Sequence, residues 1–282
     1  VTPETFAIAL SLVASLAWGV SDFLGGQVSR RTPVLWVVAV SYLSGLILIA
    51  AAALIAGGSL PAEEAAIAVL GGISGAVAIA LFYVAMAIGP VSIISPLVSM
   101  GVVVPVAVGL IRGESPSGVQ IAGLVAALCG IALAVREAEA PHSVSISTRS
   151  LVLAGLAGLG FGLFFVAIDS AASDNALWAA TWARAGGTVA IGLALIVRPP
   201  RQGLTLVALP VLLLIGCLDA AANTLIAVAS SLGLLALVAV GGSLFPIVTV
   251  VLARVVLGER LARIQQLGVA LALAGVLLIA SG

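Results

Sequence analysis

Polar residues are scarce along this chain and arrive at intervals, separated by long apolar runs. The runs predict ten helices, at 5–28, 33–57, 64–88, 90–111, 116–135, 150–173, 176–197, 203–230, 233–256 and 261–281. Each is close to the roughly 20 residues that a helix needs to cross a hydrocarbon core of about 30 Å. Connections are short except at "REAEAPHSVSISTRS", residues 136–150, where charge, Pro141 and clustered Ser read as a solvated linker. Five runs precede it and five follow. The opening run has no basic leader and no small-residue cleavage pattern, so it reads as a first span rather than a signal peptide.

The polar interruptions repeat. "GLIRGESPSGVQIAG" (109–123) and "ARVVLGERLARIQQLG" (253–268) align so that Gly113-Glu114 falls on Gly258-Glu259, Gln120 on Gln265, Gly123 on Gly268 and Gly130 on Gly275, at a constant offset of 145. A weaker match sets "LAWGVSDF" on "LGFGLFFV", Trp36 on Trp178 and Gly45 on Gly187. The expected organisation is a first repeat over 1–135, a linker over 136–149 and a second repeat over 150–282. Five is odd, so the second copy enters the bilayer upside down. The fold class expected is all-α, ten transmembrane helices as two inverted five-helix repeats.

Composition agrees with this. The chain is 62% hydrophobic and 8% charged, with a mean hydropathy of +1.34, far from the roughly 25% charge of a soluble domain. All 11 basic residues are Arg. Without Lys there is no Walker A phosphate loop and no Schiff base. Cys129 and Cys217 stand alone in apolar segments, where cysteine packs as a small hydrophobe. The one His, His142, lies in the linker, which leaves no metalloprotease helix motif and no Ser–His dyad at membrane depth. These absences argue against an enzyme and against a cofactor or a metal. The formal net charge of zero makes no case for nucleic acid. The expected partners are the lipid bilayer and a small-molecule substrate, with a monomer sufficient.

Counting faces alternately, Arg30, Arg31, Arg136, Arg149, Arg198, Arg201, Arg254, Arg260 and Arg263 fall on one side. Arg112, Glu4, Glu63, Glu64, Glu114 and Asp174 fall on the other. The bias orients the Arg-rich loops to the cytoplasm of a bacterial inner membrane, with the termini outside.

In "AWGVSDF" and the paired Gly-Glu turns, the sequence resembles the EamA-type branch of the drug/metabolite transporter superfamily, over 5–281. The resemblance implies a secondary active transporter, an exporter of small metabolites or drugs working by alternating access. Its cavity would be lined mainly by spans 1, 3, 4, 6, 8 and 9. An importer or exchanger of a sugar or amino acid, and an intramembrane structural protein, are the alternative readings. Family members often carry a basic residue in the second span of each half; here Arg184 holds the later position and Tyr42 the earlier. Members more commonly begin inside the cell, opposite to the orientation drawn from the Arg residues.

Ionisable side chains at membrane depth cost several kcal/mol unless paired or wetted, so each is a candidate for function. Arg184 would meet an anionic substrate group, and Asp219 with Asn223 a cationic or hydrogen-bonding one, or Arg184 and Asp219 form a structural ion pair. Asp22 and Asp219 are the candidates for coupling. Asp169 is expected to join Arg184 and Asp219 at one outer vestibule. Pro96 and Pro105 in the fourth span, and Gly241, Gly242 and Pro246 in the ninth, predict matched hinges. Ser95, Ser99, Ser243 and Phe245 would border the site, with Trp18, Tyr83, Trp178 and Trp182 as stacking walls or as packing.

Overall fold

In a computed structural model of the chain, residues 2–89, 91–113, 115–134, 147–257 and 263–281 are described. Helices α1 (Pro3–Ser29), α2 (Val34–Ala56) and α3 (Ala62–Ile88) come first. Then follow α4 (Val91–Ser99), a 3₁₀ turn over Met100–Val102, α5 (Val103–Ile111) and α6 (Gly118–Ala134). A helical stretch, Thr148–Val197, breaks at Asn175, whose backbone is extended (φ −153°, ψ 93°). The break separates α7 (Thr148–Ala172) from α8 (Asn175–Val197). Next come α9 (Leu209–Ser230), α10 (Leu235–Gly242), α11 (Phe245–Leu257) and α12 (Arg263–Ser281). Among the described residues, seven helices are long and apolar enough to cross a membrane. No strand occurs among them.

Local chemistry sets the helix ends. Thr2 caps α1 by accepting the Thr5 amide at 3.2 Å, with Pro3 in the first turn where no amide is needed. Ser147 caps α7 in the same way, accepting from the Ser150 amide at 3.0 Å. The repeated interruption also has a local cause. Gly113 adopts φ +90°, a conformation natural to glycine, and four residues on, Ser117 and Gln120 form a reciprocal capping box at 2.8 and 3.2 Å. The repeated Gln thus starts a helix. Gly258, Glu259, Arg260, Leu261 and Ala262, in the second copy of the turn, lie outside the described residues, as do Glu114 and most of the linker.

Large apolar side chains such as Leu16, Leu43, Leu70, Val189, Leu193 and Val255 face outward, while Ala, Gly and Ser dominate the helix contacts. That is the distribution expected where the outer solvent is hydrocarbon and close packing holds helices together.

The packing is reciprocal. Helix α3 wedges against α7 and α8, and α9 wedges against α1 and α2. Gly72 of α3 abuts the Ala183 carbonyl, and Gly216 of α9 abuts the Ser41 carbonyl. Gly45 leaves room for Arg184 and Gly187 leaves room for Tyr42. Gly19 faces Phe245 and Val248, whereas Gly162 faces Gly101 and Val104, which stand 144 positions earlier. The aligned tryptophans follow suit, each donating its indole N–H at 3.1 Å to a distant loop carbonyl: Trp36 to Gln202 and Trp178 to Gly57. Helices α6 and α12 pack on each other, with Gly275 against Gly123 and Ala127.

The breaks fall near the expected hinges. The fourth span is interrupted at Met100–Val102, with Pro105 in the first turn of α5. The ninth is interrupted at Ser243–Leu244, after Gly241 and Gly242 close α10 and just before Pro246 in the first turn of α11. Proline suits a first turn because its missing N–H would have no helical partner there. Pro96 lies inside α4, which continues through it; its side chain is outside the described set.

Candidate functional site

Arg184 on α8 is buried, and small neighbours create the space for it. A Cβ on Gly45 would lie 2.7 Å from its Nε and 2.9 Å from the Gly216 carbonyl oxygen. Its Nη1 donates to Asp219 Oδ2 in a short ion pair, and its Nη2 reaches the carbonyls of Ser41 and Gly216, each at 3.4 Å. The guanidinium lies over the Tyr42 ring, with Cζ 4.1 Å from the centroid, a cation–π contact that replaces part of the lost hydration. Asp219 Oδ1 accepts the indole N–H of Trp18 at 2.9 Å. Both carboxylate oxygens are therefore engaged, which makes burial of the charge tolerable. One turn on, the Asn223 amide donates to the Asp219 carbonyl at 2.6 Å.

Two adjoining cavities flank this cluster. Trp18, Ile79, Phe161 and Asp219 line both. The first continues past Tyr42, Arg184 and Asn223 to Ile49 and Ile168. The second is bordered by Asp22, Ser99, Phe165, Ser243 and Phe245, and so reaches both interrupted spans. Trp18 and Asp22, four residues apart on α1, present to the same side. Asp22 is buried and makes no hydrogen bond or ion pair with any described residue.

Trp18, Asp22, Ser99, Arg184, Asp219, Asn223, Ser243 and Phe245 thus lie around one hollow, all on spans expected to line it except Arg184, which is on α8. Tyr83 and Ser95 do not line it. Both are buried behind its walls, Tyr83 with its ring against Gly25. Trp178 holds a loop carbonyl and Trp182 is 40% exposed, so neither is a wall of the cavity. Asp169 pairs with Arg112 at 2.8 Å instead of joining Arg184 and Asp219. The platform formed by Tyr42 and the aromatic walls Phe161 and Phe165 are additions that the sequence did not announce as site residues. The match of "LAWGVSDF" to "LGFGLFFV" carried the signal, because it aligns Trp18 with Phe161 and Asp22 with Phe165.

A chain that is apolar outside and holds charged, hydrogen-bonded side chains around an internal hollow is a multi-pass helical membrane protein. This one belongs to the EamA-like transporter family, whose model matches residues 5–136 and 148–281. No curated protein sequence matches the chain. In fold it is similar to a crystal structure described only as that of a protein, with a TM-score of 0.74 at 16% identity, covering 96% of this chain and 95% of that one. Likeness at that identity concerns the fold alone.

Proposed function

We propose that this protein is a secondary transporter that carries a small metabolite or drug across a bacterial inner membrane by alternating access, with export as the direction that the family resemblance suggests. The observation that carries this reading is the hollow itself: Asp219 lines both adjoining cavities, Arg184 borders one and Asp22 the other, and the second reaches both interrupted spans. The seven long helices, together with the α4–α5 pair, α6 and α12, make ten crossings, in inverted repeats over 1–135 and 150–282 with 136–149 as linker. Reciprocal glycine contacts and the two stretches matched by the family model support the duplication. Pro105, Gly241, Gly242 and Pro246, with Pro96, flank the points where the two halves flex about the substrate.

The test is a thermal-stability screen of purified protein against amino acids, sugars, nucleosides and organic cations, because a ligand that binds only the folded state raises its melting temperature. One class is expected to shift the midpoint and to be transported by reconstituted vesicles. A flat profile across all classes, with no counterflow of any of them, refutes the transport reading.

The Arg-rich loops face the cytoplasm in this proposal. Ser59, exposed between α2 and α3, then lies outside. In a background where Cys129 and Cys217 are replaced, Ser59→Cys is expected to react with an impermeant maleimide on intact cells. Labelling only after lysis reverses the orientation.

A further inference from the structure

We infer that Arg112, with Asp169 and Ser170, is a one-sided latch: it holds the hollow closed at one membrane face and biases the resting protein toward opening at the other. The inference rests on the alternating-access reading above and adds to it a resting preference and the groups that set it.

Arg112 stands at the end of α5, the second half of the interrupted fourth span. Its Nη1 donates to Asp169 Oδ2 at 2.8 Å and its Nη2 to Ser170 Oγ at 2.9 Å, near the end of α7. The Ser170 hydroxyl in turn donates to the Val166 carbonyl at 2.8 Å, which leaves its oxygen turned to accept. One guanidinium therefore joins the first repeat to the second. The near end of α5 is fixed differently. Gly101, in the 3₁₀ break, abuts Gly158 of α7, and Gly101 and Val102 line the second cavity. Helix α5 thus hangs from a hinge in the cavity wall and is fastened at its far tip by charge, so a swing that uncovers the cavity at this face needs Arg112 to leave Asp169. The face is that of the α2–α3 turn, because α8 begins shortly after Asp169, and there Asn175 lies against Gly58 and Trp178 bonds Gly57.

Duplication supplies the comparison. The tryptophan clasps are matched on the two faces, Trp178 to Gly57 on this one and Trp36 to Gln202 on the other, each at 3.1 Å, and so favour neither. The ion pair is not matched. The alignment that sets Gly113 on Gly258 sets Arg112 on Leu257, and the one that sets Trp18 on Phe161 sets Asp169 on Gly26 and Ser170 on Gln27. The inverted copy has no ionisable group at these positions. Its α11 meets α1 instead through the buried Thr249 hydroxyl, which donates to the Gly19 carbonyl at 3.2 Å. Charge at these positions adds to closure on one face alone. The Arg112 side chain is 43% exposed, so solvent ions reach the pair and salt weakens it, the screening length falling from about 10 Å at 0.1 M to about 3 Å at 1 M. An exposed pair shifts an equilibrium by up to about fivefold. That is enough to set a preference and weak enough to break in every cycle.

The experiment reads the reactivity of Val102→Cys, a buried position on the cavity wall, in a background where Cys129 and Cys217 are replaced. An impermeant methanethiosulfonate is applied to right-side-out and to inverted membrane vesicles, and Ser59→Cys shows which preparation presents the latch face. Reaction is expected from both faces, and more slowly from the latch face. Arg112→Gln and Asp169→Asn are each expected to raise the latch-face rate about two- to fivefold while the opposite rate stays level or falls. The double variant is expected to go no further than either single one. Raising salt from about 0.05 M to about 1 M is expected to raise the latch-face rate with Arg112 in place and to do nothing further in Arg112→Gln. Unchanged latch-face rates, equal rises on both faces, or additive effects of the two substitutions each overturn the latch. If the variants fail to reach the membrane, the salt response with Arg112 in place decides. Reaction from one face only under every condition refutes alternating access itself, whereas two-sided reaction that ignores Arg112 and salt refutes the latch alone.

Discussion

Asp219→Asn is expected to cost about 3–5 kcal/mol of stability and to abolish transport, because it strands Arg184 as a buried cation without its counter-charge. Arg184 is 4% exposed and cannot shed its proton. Arg184→Gln is expected to cost less, since the carboxylate left behind still accepts from the Trp18 indole N–H. The double variant Asp219→Asn/Arg184→Gln removes both charges and is expected to melt near the wild-type temperature, giving a large favourable interaction energy in the double-mutant cycle. It is nonetheless expected to show neither ligand-induced stabilisation nor transport. A double variant that transports normally would reduce the pair to a structural ion pair and take both residues out of the site.

The second large effect concerns packing without charge. Gly72→Ala and Gly216→Ala each place a Cβ against a backbone carbonyl region, of Ala183 and of Ser41, which cannot swing away as a side chain would. Each is expected to cost about 1–3 kcal/mol or more, as overpacking does. Gly192→Ala on the exposed side of α8 meets nothing within 4 Å and is expected to gain up to about 1 kcal/mol from helix propensity. Melting temperatures of the three variants check the contrast in sign. Equal behaviour of Gly72→Ala and Gly192→Ala would contradict the close approach of α3 and α8.

Helix positions were legible because a bilayer demands runs of about 20 apolar residues, and the described helices begin and end within a few residues of those runs. The charged centre was legible for the same reason: Arg184 and Asp219 are costly at that depth, and they meet. Facing was harder to read. Helices apolar on every side carry no stripe that says which side is inward, so Trp178 and Trp182 could not be told from Trp18. Asp22 stands seven residues before the end of α1 and is nonetheless buried. What draws it inside is the close approach of neighbours over Gly19, Gly25 and Gly26, where Val248, Tyr83 and Met86 pack against α1. Asp169 has its partner in Arg112, at the end of α5, a long-range pairing that no local pattern announces.

The wedging of α3 between α7 and α8, and of α9 between α1 and α2, bears on how the chain is made. As synthesis proceeds, α3 emerges with Gly71, Gly72 and Gly75 uncovered, because Ala167, Ala183 and Phe164 lie far downstream. Its docking surface must wait in lipid until later helices arrive, and the groove between α1 and α2 stays vacant until α9 fills it. Such contacts between distant parts of the sequence close late and slowly. Neither the stretch before Ala134 nor the stretch after Ser147 owns a finished interior, because both apolar clusters of the core draw residues from each.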